Sequence, residues 1–229
     1  MKKNKDAFIL TMNISEIEKK LEKSGAFKKK NINSQGNIKQ SLNNLPQHVW
    51  MNPHLKWLYI SNGIGYFPML VYERLLEKMP LSHNIEYNNE NGYHNTEGKK
   101  KWILNNMIFI IETNTQNVTL YKKILGKNTN ISTTDFIDSN NRWKLDFNGI
   151  ETFDIIMCNP PININNNNIN IKHDTELYLK YIKKSLLITK KLLFLIPNYW
   201  TSDSDEISQL KKNIISTQNF NLYNLFFKR

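Results

Sequence analysis

Residues 153–162 read Phe-Asp-Ile-Ile-Met-Cys-Asn-Pro-Pro-Ile, and their types and order can do chemistry. The Ile-rich run entered through Phe153 reads as a buried strand. It must stop at Pro160 and Pro161, because proline lacks the backbone N–H and holds φ near −65°. Proline also drives the residue before it into extended geometry, so Asn159 stands at the carboxyl end of the strand on a stiff turn. An exocyclic amine on a flat base has two hydrogens to donate. The side-chain oxygen of Asn159 can accept one, and the carbonyl of Pro160 the other. Such a pair polarises the amine and aims its lone pair at an electrophile, which is catalysis by positioning. A strand-ending turn with no chemistry is the plainer reading of the same residues.

Three further sets of residues sit where a ligand would need them. Ser61, Asn62, Gly63 and Gly65 follow the apolar and aromatic run 55–60 and precede a helix expected over 66–79. Strand, glycine turn and helix together let a nucleotide-like ligand approach the backbone closely, and glycine adds tolerance of positive φ. Glu112 ends the apolar run 107–111, where a carboxylate can accept both hydroxyls of a ribose. Asp135 follows a short strand expected over 130–134. The five histidines show no convincing metal-ligand spacing, so no metal site is expected. Cys158 reads as a small residue ending a buried strand rather than as a nucleophile.

The elements that must position these groups alternate. Residues 1–30 read as an arm with a helix over 14–23, and the basic run 28–30 as a solvated face. Residues 31–229 read as one domain. A short helix over 38–45 closes at Pro46, 82–101 is a polar surface excursion, and Thr115 caps a helix running to Leu125 with Gly126 past its end. Residues 138–151, with Arg142 and Trp143, look irregular, and 163–170 form a loop of Asn and Ile. A helix with Tyr178, Ile182 and Leu186 at four-residue spacing follows. Then come a strand over 191–196 closed by Pro197, a helix over 202–215 and a last strand over 220–227. Strands alternating with helices predict an α/β fold: a Rossmann-like, doubly wound, mostly parallel sheet.

Composition bounds the partner classes. A chain of 229 residues with 40% hydrophobic and 11% aromatic content can bury a real core. The net charge of +11 favours a polyanion through counter-ion release, although a Lys-, Asn- and Ile-rich composition is also what an A/T-rich coding genome produces. The single cysteine excludes an intrachain disulfide and points to a reducing, intracellular compartment. No apolar run approaches the roughly 20 residues that span a bilayer, and the basic start has no long apolar core of a signal peptide.

From about residue 32 to Trp200 the chain resembles the S-adenosylmethionine-dependent DNA adenine-N6 methyltransferases, in the branch where the cofactor motifs precede Asn-Pro-Pro. Type II restriction-modification enzymes and their relatives in large DNA viruses are of this kind. The most specific match is 153–161. The next is 57–68, where an Asp-Pro-Ala-Asn-Gly-Ile-Gly-Asn-Phe-Pro-like run stands as Tyr-Ile-Ser-Asn-Gly-Ile-Gly-Tyr-Phe-Pro over 59–68. The resemblance implies a class I methyltransferase fold with S-adenosylmethionine as cofactor. It implies that the turn of Ser61, Asn62, Gly63 and Gly65 holds the methionine part, that Glu112 holds the ribose and that Asp135 reads the adenine. Asn159 would border the cofactor as well as the target, with Pro160, Pro161 and Ile162 completing the catalytic tip. Pro197 and Trp200 match a Pro-x-x-Trp-like region. Duplex DNA is the implied partner and the cytoplasm, a host's if the chain is viral, the implied place.

The departures define the alternatives. Tyr59-Ile60 replaces Asp-Pro, which removes an anion near the cofactor's ammonium group. Asn33-Ser34 stands for the family's Thr-Pro. Ile162 replaces an aromatic that stacks on the flipped base, a contact worth about 1–3 kcal/mol. The sequence also ends where the family continues into a target-recognition region, so recognition is expected from a partner subunit, or the chain is a truncated copy. Three readings follow. One is a site-specific DNA adenine-N6 methyltransferase. Another is a nucleic-acid-binding module that has lost catalysis. The third is a methyltransferase acting on RNA or on a protein glutamine.

Overall fold

A computed structural model describes residues 32–61, 66–81, 95–158 and 171–194, together with Ser208. The elements are α1 (Ile32–Asn43), α2 (Gln47–Met51), β1 (Trp57–Ile60), α3 (Phe67–Lys78), α4 (Thr96–Trp102), a π-helical segment (Ile103–Met107), β2 (Ile108–Ile111), α5 (Thr115–Leu125), β3 (Asn130–Ser132), α6 (Trp143–Asp146), β4 (Phe153–Cys158), α7 (Ile171–Leu186) and β5 (Thr189–Phe194). The five strands form one sheet in the order β3-β2-β1-β4-β5, with every pairing parallel. The α/β, Rossmann-like expectation therefore holds. Chain order reverses at β1, between β2 and β4, which in such sheets opens a crevice at the carboxyl edge.

Burial explains the strands. All four residues of β1 and of β2 are buried, as in a parallel sheet covered on both faces. Side chains alternate between two cores. Trp57, Tyr59, Ile108, Ile110, Ile155 and Met157 face a core shared with α1 to α4. Leu58, Ile60, Phe109, Ile111, Ile156 and Cys158 face a second core built largely from Phe136, Trp143, Phe147, Phe153 and Tyr181. The alternation slips once. The N–H groups of Asp154 and Ile155 both donate to Lys56 O, at 3.0 and 3.2 Å, and Phe153 joins the aromatic side. The Asp154 carboxylate in turn accepts from Lys56 N at 2.7 Å, pinning the register of β4 on β1.

Several expected boundaries move. The helix placed at 38–45 starts at Ile32 and ends at Asn43, and Pro46 closes nothing; with φ −64° it precedes α2. Asn114, not Thr115, caps α5, because its Oδ1 accepts from Gln116 N and Asn117 N at 2.9 and 3.3 Å. Gly126 follows α5 at φ 107°, a backbone that favours glycine. Residues 96–101 are helix rather than polar excursion, and Lys99 and Lys100 in it are buried. The irregular stretch 138–151 contains α6. The strand expected over 191–196 starts two residues earlier, at Thr189. The arm and helix of 1–30, the loop 163–170, Pro197, Trp200, the helix of 202–215 apart from Ser208, and the strand of 220–227 lie outside the described residues.

Candidate functional site

The register sets one row of strand ends: Ile60 pairs with Ile111 and Cys158, Ile111 with Ser132, and Cys158 with Phe194. The first residues past this row on β1 and β2 are Ser61 and Glu112. Ser61 N donates to Ile111 O and Glu112 N to Ser132 O, each at 2.9 Å, so both leave the sheet with the ladder still closed beneath them. Over this edge lies a cavity of about 450 Å³, walled by Ser61, Glu112, Asn117, Asp135, Phe136 and Tyr181 among others. It brings together Ser61, Glu112 and Asp135, which stand far apart in sequence. Asn62, Gly63, Gly65, Asn159, Pro160, Pro161 and Ile162 lie outside the described residues.

Glu112 is only 2% exposed, and its carboxylate is held from three sides. Ser61 Oγ donates to Oε2 at 2.7 Å, Asn117 Nδ2 donates to Oε2 at 3.0 Å, and Asn114 N donates to Oε1 at 2.8 Å. A buried carboxylate needs such donors, because an unpaired one is costly away from water. Asn114 therefore both caps α5 and orients Glu112. Asp135 is exposed; its Oδ1 accepts from Ile137 N at 3.0 Å, which leaves Oδ2 without a donor among the described residues.

The aromatic wall is Phe136 and Tyr181, whose ring centroids lie 5.8 Å apart with planes inclined by 30°. Burial, then the charge of Asp135 and the proximity of Cys158, push the Tyr181 hydroxyl well above its ordinary value. Tyr181 packs in the same core as Cys158, at the end of β4, and lines the cavity together with Asp135. Behind Phe136, Lys184 Nζ sits 5.3 Å from the ring centroid and donates to Asp138 O at 2.7 Å. Cys158 is fully buried in the second core, and burial pushes its thiol up.

Tyr59 replaces an acidic residue in the pattern this chain resembles, yet it does not block the cavity. It is 2% exposed, faces the larger core and packs on Phe67 at 5.8 Å between centroids. Its hydroxyl hydrogen-bonds Ser61. Ser61 Oγ in turn donates to Glu112. Ser61, at this end of β1, is thereby tied to the Glu112 carboxylate of the neighbouring strand.

Asn114, Asn117, Phe136 and Tyr181 were not singled out from sequence as lining residues. The pair of asparagines three apart just after a strand-end carboxylate was the available signal. Tyr181 gave none, since at helical spacing it reads as core. Among the described residues, no three His, Cys, Asp or Glu side chains gather as a metal site would need, and no helix is long and apolar enough to cross a membrane. No protein-family model matches the chain, and no curated protein is significantly similar to it.

Proposed function

We propose that this chain is an S-adenosylmethionine-dependent methyltransferase that acts on the N6 amine of adenine in duplex DNA. One observation carries the reading: a single cavity at the carboxyl edge gathers Ser61, Glu112 and Asp135, and Cys158, in register with Ile60 beside it, is followed in sequence by Asn159-Pro160-Pro161.

The donor set fits the cofactor. Two carboxylates and no Lys, Arg or His stand among the described lining residues. A cleft lined by one sign of charge favours the opposite sign in its ligand. A phosphate-bearing nucleotide would meet two anions there. An adenosyl ligand with sulfonium and ammonium charges would be drawn in. Glu112 would accept from the ribose, Asp135 Oδ2 from the adenine amine, and Phe136 and Tyr181 would cover the base.

When bound, the cofactor supplies an electrophilic methyl group. Asn159 and the Pro160 carbonyl would accept the two hydrogens of the target amine, holding its lone pair towards that methyl group. The target base must leave the duplex to reach the strand tip. Ile162 would cover it by apolar contact. The net charge of +11 supports a nucleic-acid partner.

Incubation with methyl-labelled cofactor and a panel of duplex DNA, RNA and protein tests the proposal. Label on adenine N6 of DNA is expected. Asn159→Ala should lower turnover by roughly 100- to 1000-fold, the value of one preorganised acceptor. Label on RNA or glutamine, or undiminished turnover in the variant, would overturn it.

A further inference from the structure

The Glu112 carboxylate has few acceptor positions left. An ionised carboxyl group offers about four, two on each oxygen. Oε2 already takes Ser61 Oγ and Asn117 Nδ2, and Oε1 takes Asn114 N. Among the described residues no other donor reaches the carboxylate, so one position remains, on Oε1. Two ribose hydroxyls held by one carboxylate, oxygen for oxygen, would need a position on each.

Resting on the reading of this cavity as an adenosyl site, we propose that Glu112 holds only one ribose hydroxyl, because Asn117 and Ser61 saturate its other oxygen; Asn117 is thus a positioning residue that sets which sugar the site distinguishes. Displacing Asn117 would not come free. Its side chain is half-buried on the first turn of α5 and would give up its bond to Oε2. Displacing Ser61 would break the run from Tyr59 through Ser61 to Glu112 that closes the end of β1. Asn114 N cannot leave, since the same turn caps α5. The three donors therefore form a fixed frame, and the ligand takes the position the frame leaves open.

Calorimetry with S-adenosylhomocysteine and its 2′-deoxy and 3′-deoxy analogues reads this directly. In the wild-type chain one analogue should bind within about twofold of the parent. The other should be weaker by at least about tenfold, the worth of a hydrogen bond to a charged group. Asn117→Ala opens a position on Oε2. The analogue that bound like the parent should then fall about fivefold behind it, while the ratio for the other stays. If both analogues lose tenfold in the wild type, both oxygens hold hydroxyls and the inference fails. It also fails if Asn117→Ala weakens all three ligands equally, which is what a mere brace would do. If the wild-type chain binds none of the three, the adenosyl reading falls too, and the two failures are told apart by whether the parent binds.

Discussion

The same sheet carries a cavity at each end. At the carboxyl end Ser61, Glu112 and Asp135 help to line about 450 Å³. At the amino end Pro53, Lys56, Trp102, Asn130 and Asn148 help to line about 290 Å³, with no carboxylate among the described lining residues. Both are polar and open, but their polar groups are committed differently. Asn130 Nδ2 shares its two hydrogens among the carbonyls of Leu104, Asn105 and Ile108, at 3.1, 2.9 and 3.1 Å, which closes the π-helical entry to β2. Trp102 Nε1 donates to Pro53 O at 3.0 Å. These groups answer the chain's own backbone. At the carboxyl end, Asp135 Oδ2 and one acceptor position of Glu112 have no donor among the described residues.

Glu112→Leu tests this contrast most severely. It removes a ligand acceptor and orphans donors from Ser61, Asn114 and Asn117. Affinity for S-adenosylhomocysteine should fall by roughly 10- to 150-fold, and each buried donor left unpaired costs about 1–3 kcal/mol of stability. Calorimetry and urea unfolding would read both losses. Binding that survives would remove the carboxyl-end cavity from consideration.

Asn130→Ala is the mirror experiment. Stability should drop by about 1–3 kcal/mol, since carbonyls at the start of β2 lose their donor. Ligand affinity should not move, because Asn130 lies at the other end of the sheet. An affinity loss matching that of Glu112→Leu would erase the distinction between the ends.

Asp135→Asn should act on binding alone. Asparagine keeps an oxygen for Ile137 N but puts an NH2 donor where Oδ2 stood, so the ligand's acceptor is lost and affinity should fall at least about tenfold, the worth of a hydrogen bond to a charged group. Unfolding in urea should be unchanged.

The gentlest test asks how closed the floor of the carboxyl-end cavity is. Burial raises Tyr181 and Tyr59 above an ordinary 10.0, and Cys158 above an ordinary 9.0. A raised folded value means the native chain holds protons that the unfolded chain releases. That stability is present below the unfolded values and is lost as pH rises past them. Stability followed from pH 8 to 11 should therefore decline from about pH 9 upward, and the lone thiol should react with a maleimide only on unfolding. Rapid labelling of the native chain would show that the end of β4 is open to solvent.

Much of the frame could be read from the amino acids. The Ile- and aromatic-rich runs ending at Ile60, Ile111 and Cys158 are strands, because such residues form unbroken apolar stretches only where both faces of a sheet are covered. Glu112 stood out because a carboxylate at a strand end can accept ribose hydroxyls, although a surface glutamate is the plainer reading of its position, and Asp135 stood out only through the family resemblance. Boundaries were less legible. Thr115 and Asn114 are both good caps, and only the geometry of the turn chose Asn114. Pro46 reads as a stop from sequence, yet the chain resumes as α2 directly after it.

What the sequence by itself determined was the set of strands, their parallel α/β arrangement and the chemical types waiting at their ends, since periodicity and proline act locally. Tertiary structure decided which of those ends share a cavity, that Tyr59 turns into the core and pairs with Ser61, and that Asn117 and Ser61 share one oxygen of Glu112. Those outcomes rest on register between strands and on distances across 51 and 5 residues of chain, as with the bonds from Ser61 and Asn117 to Glu112. Hydrogen bonds of 2.7 to 3.0 Å exist only once parallel pairing has set the strand ends in one row, and no local propensity encodes that alignment.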